Sequence, residues 1–203
     1  MASHRWFAPI STLLITALAA IIRIANLANP RLLVFDETYY VKDAYTLGLF
    51  GSERNWQDNP NPDFESGILS GYLEGAAYVV HPPFGKWIIW SGLELFGADS
   101  SFGWRIATAV LGVLMVPLVI LIARRLIGSN FFAAIAGLFM ALEGLSITLA
   151  RTAILDSNLA FFALLGFYFI LLDTQAWSSW LQKTKSSALR FRPWLLLAGI
   201  SLG

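Results

Sequence analysis

The stretch RLLVFDETYY, residues 31–40, sets two carboxylates, Asp36 and Glu37, side by side just beyond a long apolar run. Upstream, residues 7–28 are almost continuously apolar. A bilayer core about 30 Å thick is crossed by about 20 such residues in a helix, because backbone amides cannot stay unpaired in lipid. Downstream, residues 102–123, 131–150 and 158–172 repeat the pattern, and a fifth run opens at Pro193. The pair therefore lies at the edge of the first of several crossings, and the fold class follows: an all-α integral membrane protein. The 203 residues read as the N-terminal part of one membrane domain, with residues 29–101 as a long first loop.

Composition agrees. The chain is 57% hydrophobic and 13% charged, against about 25% charged in soluble domains, and its mean hydropathy is +0.63. With no cysteine, disulfide frameworks and thiolate metal sites are excluded. Fourteen Lys and Arg against thirteen Asp and Glu leave no basic surface for nucleic acid. A secretory leader is an alternative for the first run, but its length, Arg23 near its end and the lack of a small-x-small cleavage pattern in ANLANP argue against one.

Orientation follows from the basic residues of the short connections. Arg5 precedes the first run, Arg124 and Arg125 follow the second, and Lys183, Lys185, Arg190 and Arg192 follow the fourth. These segments share one side, which is then cytoplasmic, with the N-terminus inside. Residues 29–101, with ten acids against four basic residues, fall outside. On that same outer face the alternation of crossings gathers Asp36, Glu37, His81, Arg105, Arg151 and Asp156 from separate segments.

Within the outer loop, GSERNWQDNPNPDFESG (51–67) is dense in turn residues and reads as irregular. On either side, DETYYVKDAYTLGLF and GKWIIWSGLELFG have helical spacing, Tyr40, Val41, Ala44, Tyr45 and Leu47 forming one face of the former. Both are expected as short amphipathic helices along the membrane surface. In VVHPPFGKW, Pro82 and Pro83 would fix the chain after His81. The Gly-Lys pair lacks the first glycine and the final hydroxyl of a phosphate loop, so that reading fails.

Acids in a first helical turn are favoured by the macrodipole alone, by about 0.3–1 kcal/mol, which is the plain account of Asp36 and Glu37. A carboxylate beside an apolar boundary nevertheless loses solvation, and such groups are functional candidates. Arg23 and Glu143 lie inside the runs, about 8 and 12 Å from their outer ends at 1.5 Å per residue. Arg23 is expected to snorkel outward, and Glu143 to face the bundle interior toward a cation. Arg151 and Asp156 would pair as ions.

This set suits transfer of a sugar from a lipid phosphate. The phosphate is a weakly basic leaving group that needs cations rather than a strong acid, and the arginine fork matches it. The attacking alcohol needs a carboxylate within hydrogen-bond reach, a part that Asp36 or Glu37 would fill. With one base and no separate nucleophile, a single displacement with inversion is expected. The same residues could line a transporter path, with Arg23 and Glu143 as a relay.

Four stretches in order, RIANLANPRLLVFDETYYVKDA, YVVHPPFGKWII, GWRIATAVLGVLMVPLVILIARRL and LARTAILDSNLAFF, resemble the N-terminal part of the protein O-mannosyltransferases, the actinobacterial type in particular. The resemblance implies a multispanning cell-membrane enzyme of the GT-C class that moves mannose from a polyprenyl phosphate to Ser or Thr of secreted proteins, with lipid-linked mannose as donor and no resident cofactor. It implies that Asp36 and Glu37 hold the acceptor and the catalytic base, and that His81, Arg105, Arg23, Arg151 and Asp156 belong to the substrate site. Its nearest rival is another GT-C transferase acting on a lipid or glycan.

Overall fold

The computed structural model describes residues 3–183 and 191–203. Lys185 and Arg190, two of the basic residues used to assign the cytoplasmic side, lie outside the described residues. In chain order the elements are α1 (Ser3–Ile24), α2 (Glu37–Phe50), β1 (Arg54–Trp56), α3 (Asn61–Glu65), β2 (Tyr72–Ala76), α4 (Phe84–Phe96), α5 (Ser101–Ile127), α6 (Asn130–Leu142), α7 (Gly144–Ala150), α8 (Leu155–Lys183) and α9 (Pro193–Leu202). Within them Trp6–Ile24, Ser101–Ile127 and Leu155–Leu181 are long and apolar enough to cross a membrane. The protein is an all-α membrane bundle, with a small two-stranded sheet in the segment between α2 and α4.

Two of the apolar runs take a different form from the one their hydropathy implies. Residues 131–150 form not one rod but the broken pair α6 and α7, bent by 58°. The break falls at Glu143, whose side chain accepts from the amides of Leu145 and Ser146 and so starts α7 afresh. The run 158–172 ends in the sequence at Asp173, yet α8 continues to Lys183. Along it Asp173 is buried and paired with Arg192, whose Nε lies 2.9 Å from Oδ2.

Helix α5 is the hub, with α1, α4, α6, α7 and α8 packed around it. Small residues permit the approach, as is usual between helices in lipid. A Cβ on Gly112 would sit 2.4 Å from that of Ala150, and one on Gly92 would sit 2.4 Å from the Gly103 carbonyl oxygen. At its far end α5 stops at Gly128, φ 73°, whose amide donates to the Arg124 carbonyl. There Arg124 and Arg125 oppose the negative end of the helix dipole.

The segment between α1 and α5 has a core of its own. Phe64, fully buried, packs against Trp104 of α5, Tyr45 of α2 and Trp56 of β1, at ring separations of 5.8, 6.0 and 5.5 Å. Burying such a side chain is worth about 1.5–3 kcal/mol. These rings pin residues 51–67 into order where turn composition implies irregular loop. Arg54 pairs with Ala76 and Trp56 with Tyr72 in the antiparallel β1–β2 ribbon. The two expected amphipathic helices are present as α2 and α4. Lys86 of the Gly-Lys pair joins them, its ammonium 2.6 Å from Glu53 and 3.0 Å from Asp43.

Lys42 is also buried and bonded to Asn61. Burial pushes its pKa down to about 8, with Asp43 and Glu65 pulling it back up. Below pH 8 the folded protein bears the full desolvation penalty of the ammonium. Between 8 and 10.5 the unfolded chain binds the proton more tightly, so stability rises with pH through that window. Thermal unfolding of the solubilised protein beside a Lys42→Met variant is expected to show the parent gaining on the variant as pH rises from 8 to 10.5. A difference constant with pH would exclude burial of the charge as the cause.

Candidate active site

Five elements meet at one end of the bundle: the end of α1, the starts of α2, α4 and α5, and the α7–α8 junction. What ties them is a pair of buried ions. Glu37 and Arg105 are 0% and 1% exposed, and the guanidinium grips the carboxylate with two bonds, Nε to Oε1 at 2.7 Å and Nη2 to Oε2 at 2.8 Å. Each carboxylate oxygen also accepts one amide, from Ala153 at 2.8 Å and Val34 at 3.0 Å. The remaining Arg105 donors go to the carbonyls of Leu27, Pro30 and Leu32. All five guanidinium donors are thereby used, so neither partner keeps a free atom for a substrate. Sequence reading leaves the base open between Asp36 and Glu37, and the resemblance implies a place in the substrate site for Arg105. The geometry makes Glu37 and Arg105 the frame of the site instead.

The other two arginines are framing groups as well. Arg23 does not snorkel outward. It is fully buried and donates to the carbonyls of Ala141 and Met140 at 2.9 Å each, and to Ser146 Oγ at 3.0 Å. These are the acceptors that the α6–α7 break leaves without helical partners. Glu143, expected to face inward toward a cation, is exposed. Ser146 links it to Arg23, Glu143 binding the Ser146 amide and Arg23 the Ser146 hydroxyl, and the two charges attract each other directly as well. Arg151 makes no ion pair with Asp156 among the described residues. It caps the end of α1, donating to Ile22, Arg23, Ala25 and Asn26. It is half-exposed, so of the three arginines it alone keeps part of its surface open.

Asp36 is placed differently from its neighbour. The chain turns at Phe35 through a left-handed conformation, φ 52°, with the ring 78% exposed. A turn of this kind at a non-glycine residue costs about 1–3 kcal/mol. Asp36 follows at the N-cap of α2, yet its side chain makes no capping bond, and it is half-exposed. The macrodipole account therefore lacks the capping contact that would make Asp36 a purely structural residue. One turn on, the Tyr40 amide donates to the Asp36 carbonyl at 3.0 Å. The Tyr40 ring meets His81 edge-on at 5.7 Å. His81 is exposed, held by the Pro82–Pro83 step that starts α4, and Asp156 is exposed in the first turn of α8.

Burial raises the Tyr40 phenol above its ordinary pKa, and the negative charges of Asp36 and Asp156 raise it further. It stays a protonated donor. The open groups at this end thus include the carboxylates of Asp36 and Asp156, the His81 imidazole and the Arg151 guanidinium, with the buried Tyr40 phenol beside them. Together they can accept a proton from an alcohol and bind hydroxyls. Sequence reading counts Tyr40 in the apolar face of α2, and the ring is buried there with Val41 and Ala44.

The family model described as dolichyl-phosphate-mannose-protein mannosyltransferase matches residues 13–203. The chain is 41% identical over 166 residues to the polyprenol-phosphate-mannose–protein mannosyltransferase of Mycolicibacterium smegmatis, covering 80% of this chain and 28% of the relative. It is 39% identical over 168 residues to the protein of that name in Mycobacterium tuberculosis, covering 81% and 28%. It is 29% identical over 196 residues to human protein O-mannosyl-transferase 1, covering 95% and 24%. The chain thus spans just over a quarter of the length of the mycobacterial relatives it matches. No solved structure matches it. With the family match running through every element that frames Asp36, this chain belongs to the dolichyl-phosphate-mannose-protein mannosyltransferase family.

Proposed function

We propose that the protein transfers mannose from a polyprenyl phosphate to Ser or Thr hydroxyls of secreted proteins, at the outer face of the cell membrane, with its N-terminus cytoplasmic. The names of the mycobacterial relatives supply the donor and the protein acceptor. Asp36 is the base that takes the proton of the attacking hydroxyl. The reaction is one displacement at the anomeric carbon, with inversion. Phosphate departs without a strong acid, so the displacement itself calls for no resident cofactor or metal. Arg151 and His81, which both keep exposed surface, serve the donor phosphate, and Asp156 binds sugar hydroxyls.

The observation that carries this reading is the contrast between two adjacent acids. Glu37 is saturated and buried, whereas Asp36 stands uncapped and reachable at the same end of the bundle. Membranes containing the protein, given polyprenyl-phosphate-mannose labelled in the sugar and a Ser/Thr peptide, are expected to yield labelled peptide of anomeric configuration opposite to the donor. Label in a lipid or glycan would replace the acceptor assignment, and retained configuration would exclude the single displacement.

A further inference from the structure

We propose that residues 78–81, which run out of β2 toward Asp36, dock the acceptor polypeptide as an added strand and deliver its hydroxyl to the base. The inference rests on the protein-acceptor reading above and names how that acceptor is held. Within β2, Leu73–Gly75 stand opposite Asn55 alone, which interrupts the regular ladder. It closes on a last rung, the Ala77 amide donating to the Glu53 carbonyl at 3.0 Å. Beyond that rung, no group among the described residues bonds the backbone of Tyr78, Val79, Val80 or His81. The side chains there are apolar yet open, Tyr78 being 89% exposed, Val79 55% and Val80 65%.

A row of unpaired backbone groups flanked by Tyr and Val is a template for a further strand. Exposed edges are ordinarily guarded against such pairing by charges or proline. From Ala76 to Val80 this segment carries neither. Both of its ends are held. Glu53, whose carbonyl takes the Ala77 amide, also binds the Lys86 ammonium at 2.6 Å and so ties the ribbon to α4. At the other end Pro82 keeps His81 out of the helical region, and the His81 ring meets Tyr40, one turn from Asp36, at 5.7 Å. A strand laid along 78–81 is therefore aimed at the base. The place selects the occupant: the acceptor has to reach Asp36, and an extended polypeptide offers amides and carbonyls for pairing whatever its side chains are.

Peptides with one acceptor Ser and a single backbone N-methyl group, placed in turn at four successive residues, test this on the intact membrane protein. A strand bonds its neighbour through alternate residues. KM is therefore expected to rise about tenfold, the loss of a backbone hydrogen bond, for methylation at every second position, and to stay parental at the positions between. Val79→Pro, which removes an amide from the segment, is expected to raise KM for the peptide and not for the mannosyl lipid. Equal KM across the four methylated peptides overturns the docking, while mannosylation of the unmodified peptide keeps the acceptor assignment. An unmodified peptide that takes no mannose removes both. A raised KM for the mannosyl lipid in Val79→Pro would assign the segment to the donor and overturn the proposal as well. Should Val79→Pro fail to insert, the peptide series, run on the parent protein, decides alone.

Discussion

Asp36→Asn is expected to reduce mannosyl transfer by about 10²–10⁴-fold, the range that a positioned general base contributes, while leaving insertion and unfolding temperature at parental values. The second half follows from geometry. Asp36 makes no capping bond, and asparagine is as good an N-cap as aspartate, so α2 has nothing to lose. The substitution removes only the anion. Assays at saturating donor and peptide separate this from weakened binding, since the loss should appear in kcat. Parental kcat in this variant would remove Asp36 as the base and reopen the question of Glu37, despite its four hydrogen bonds.

Arg105→Met should do the opposite, collapsing the frame rather than the chemistry. It leaves the Glu37 carboxylate buried without its partner, at a cost of about 3–5 kcal/mol, and it frees the carbonyls of Leu27, Pro30 and Leu32. Hydrogen exchange at the Val34 and Ala153 amides, both bound to Glu37, should accelerate, and the solubilised protein should unfold at lower temperature. Combining it with Glu37→Leu is expected to recover part of the loss, because no unpaired charge then remains. A single variant that is stable but binds the mannosyl lipid poorly would return Arg105 to the role read from sequence, a ligand of the phosphate.

Much of the scaffold was legible in the residues. Apolar run length located the long helices α1, α5 and α8, and helical spacing located α2 and α4, because both signals are local. The convergence of Asp36, His81, Arg105, Arg151 and Asp156 on one end was also readable from the alternation of crossings. What charge patterning misassigned was what the arginines hold. Arg23, Arg105 and Arg151 are satisfied largely by backbone carbonyls. Every residue carries a carbonyl, so sequence offers no mark for such a partner, whereas a phosphate is the obvious guess for an arginine at a membrane edge. The bend between α6 and α7 was hidden for a related reason. Glu143 looked like a charge in need of a cation, but it binds the amides of the next helix. Likewise Asp173 looked like the end of a crossing until its partner Arg192, 19 residues on, is placed beside it.

The grip of Arg23 on the α6–α7 break carries a consequence for how the protein is made. A ribosome completes Arg23 well over a hundred residues before the carbonyls of Met140 and Ala141 that it will bind. Through that interval the nascent first crossing carries a cation without its eventual acceptors, a costly passenger in hydrocarbon. Its seating is complete only when the bent α6–α7 pair arrives, which makes biogenesis of this end of the molecule a joint act of two segments far apart in translation.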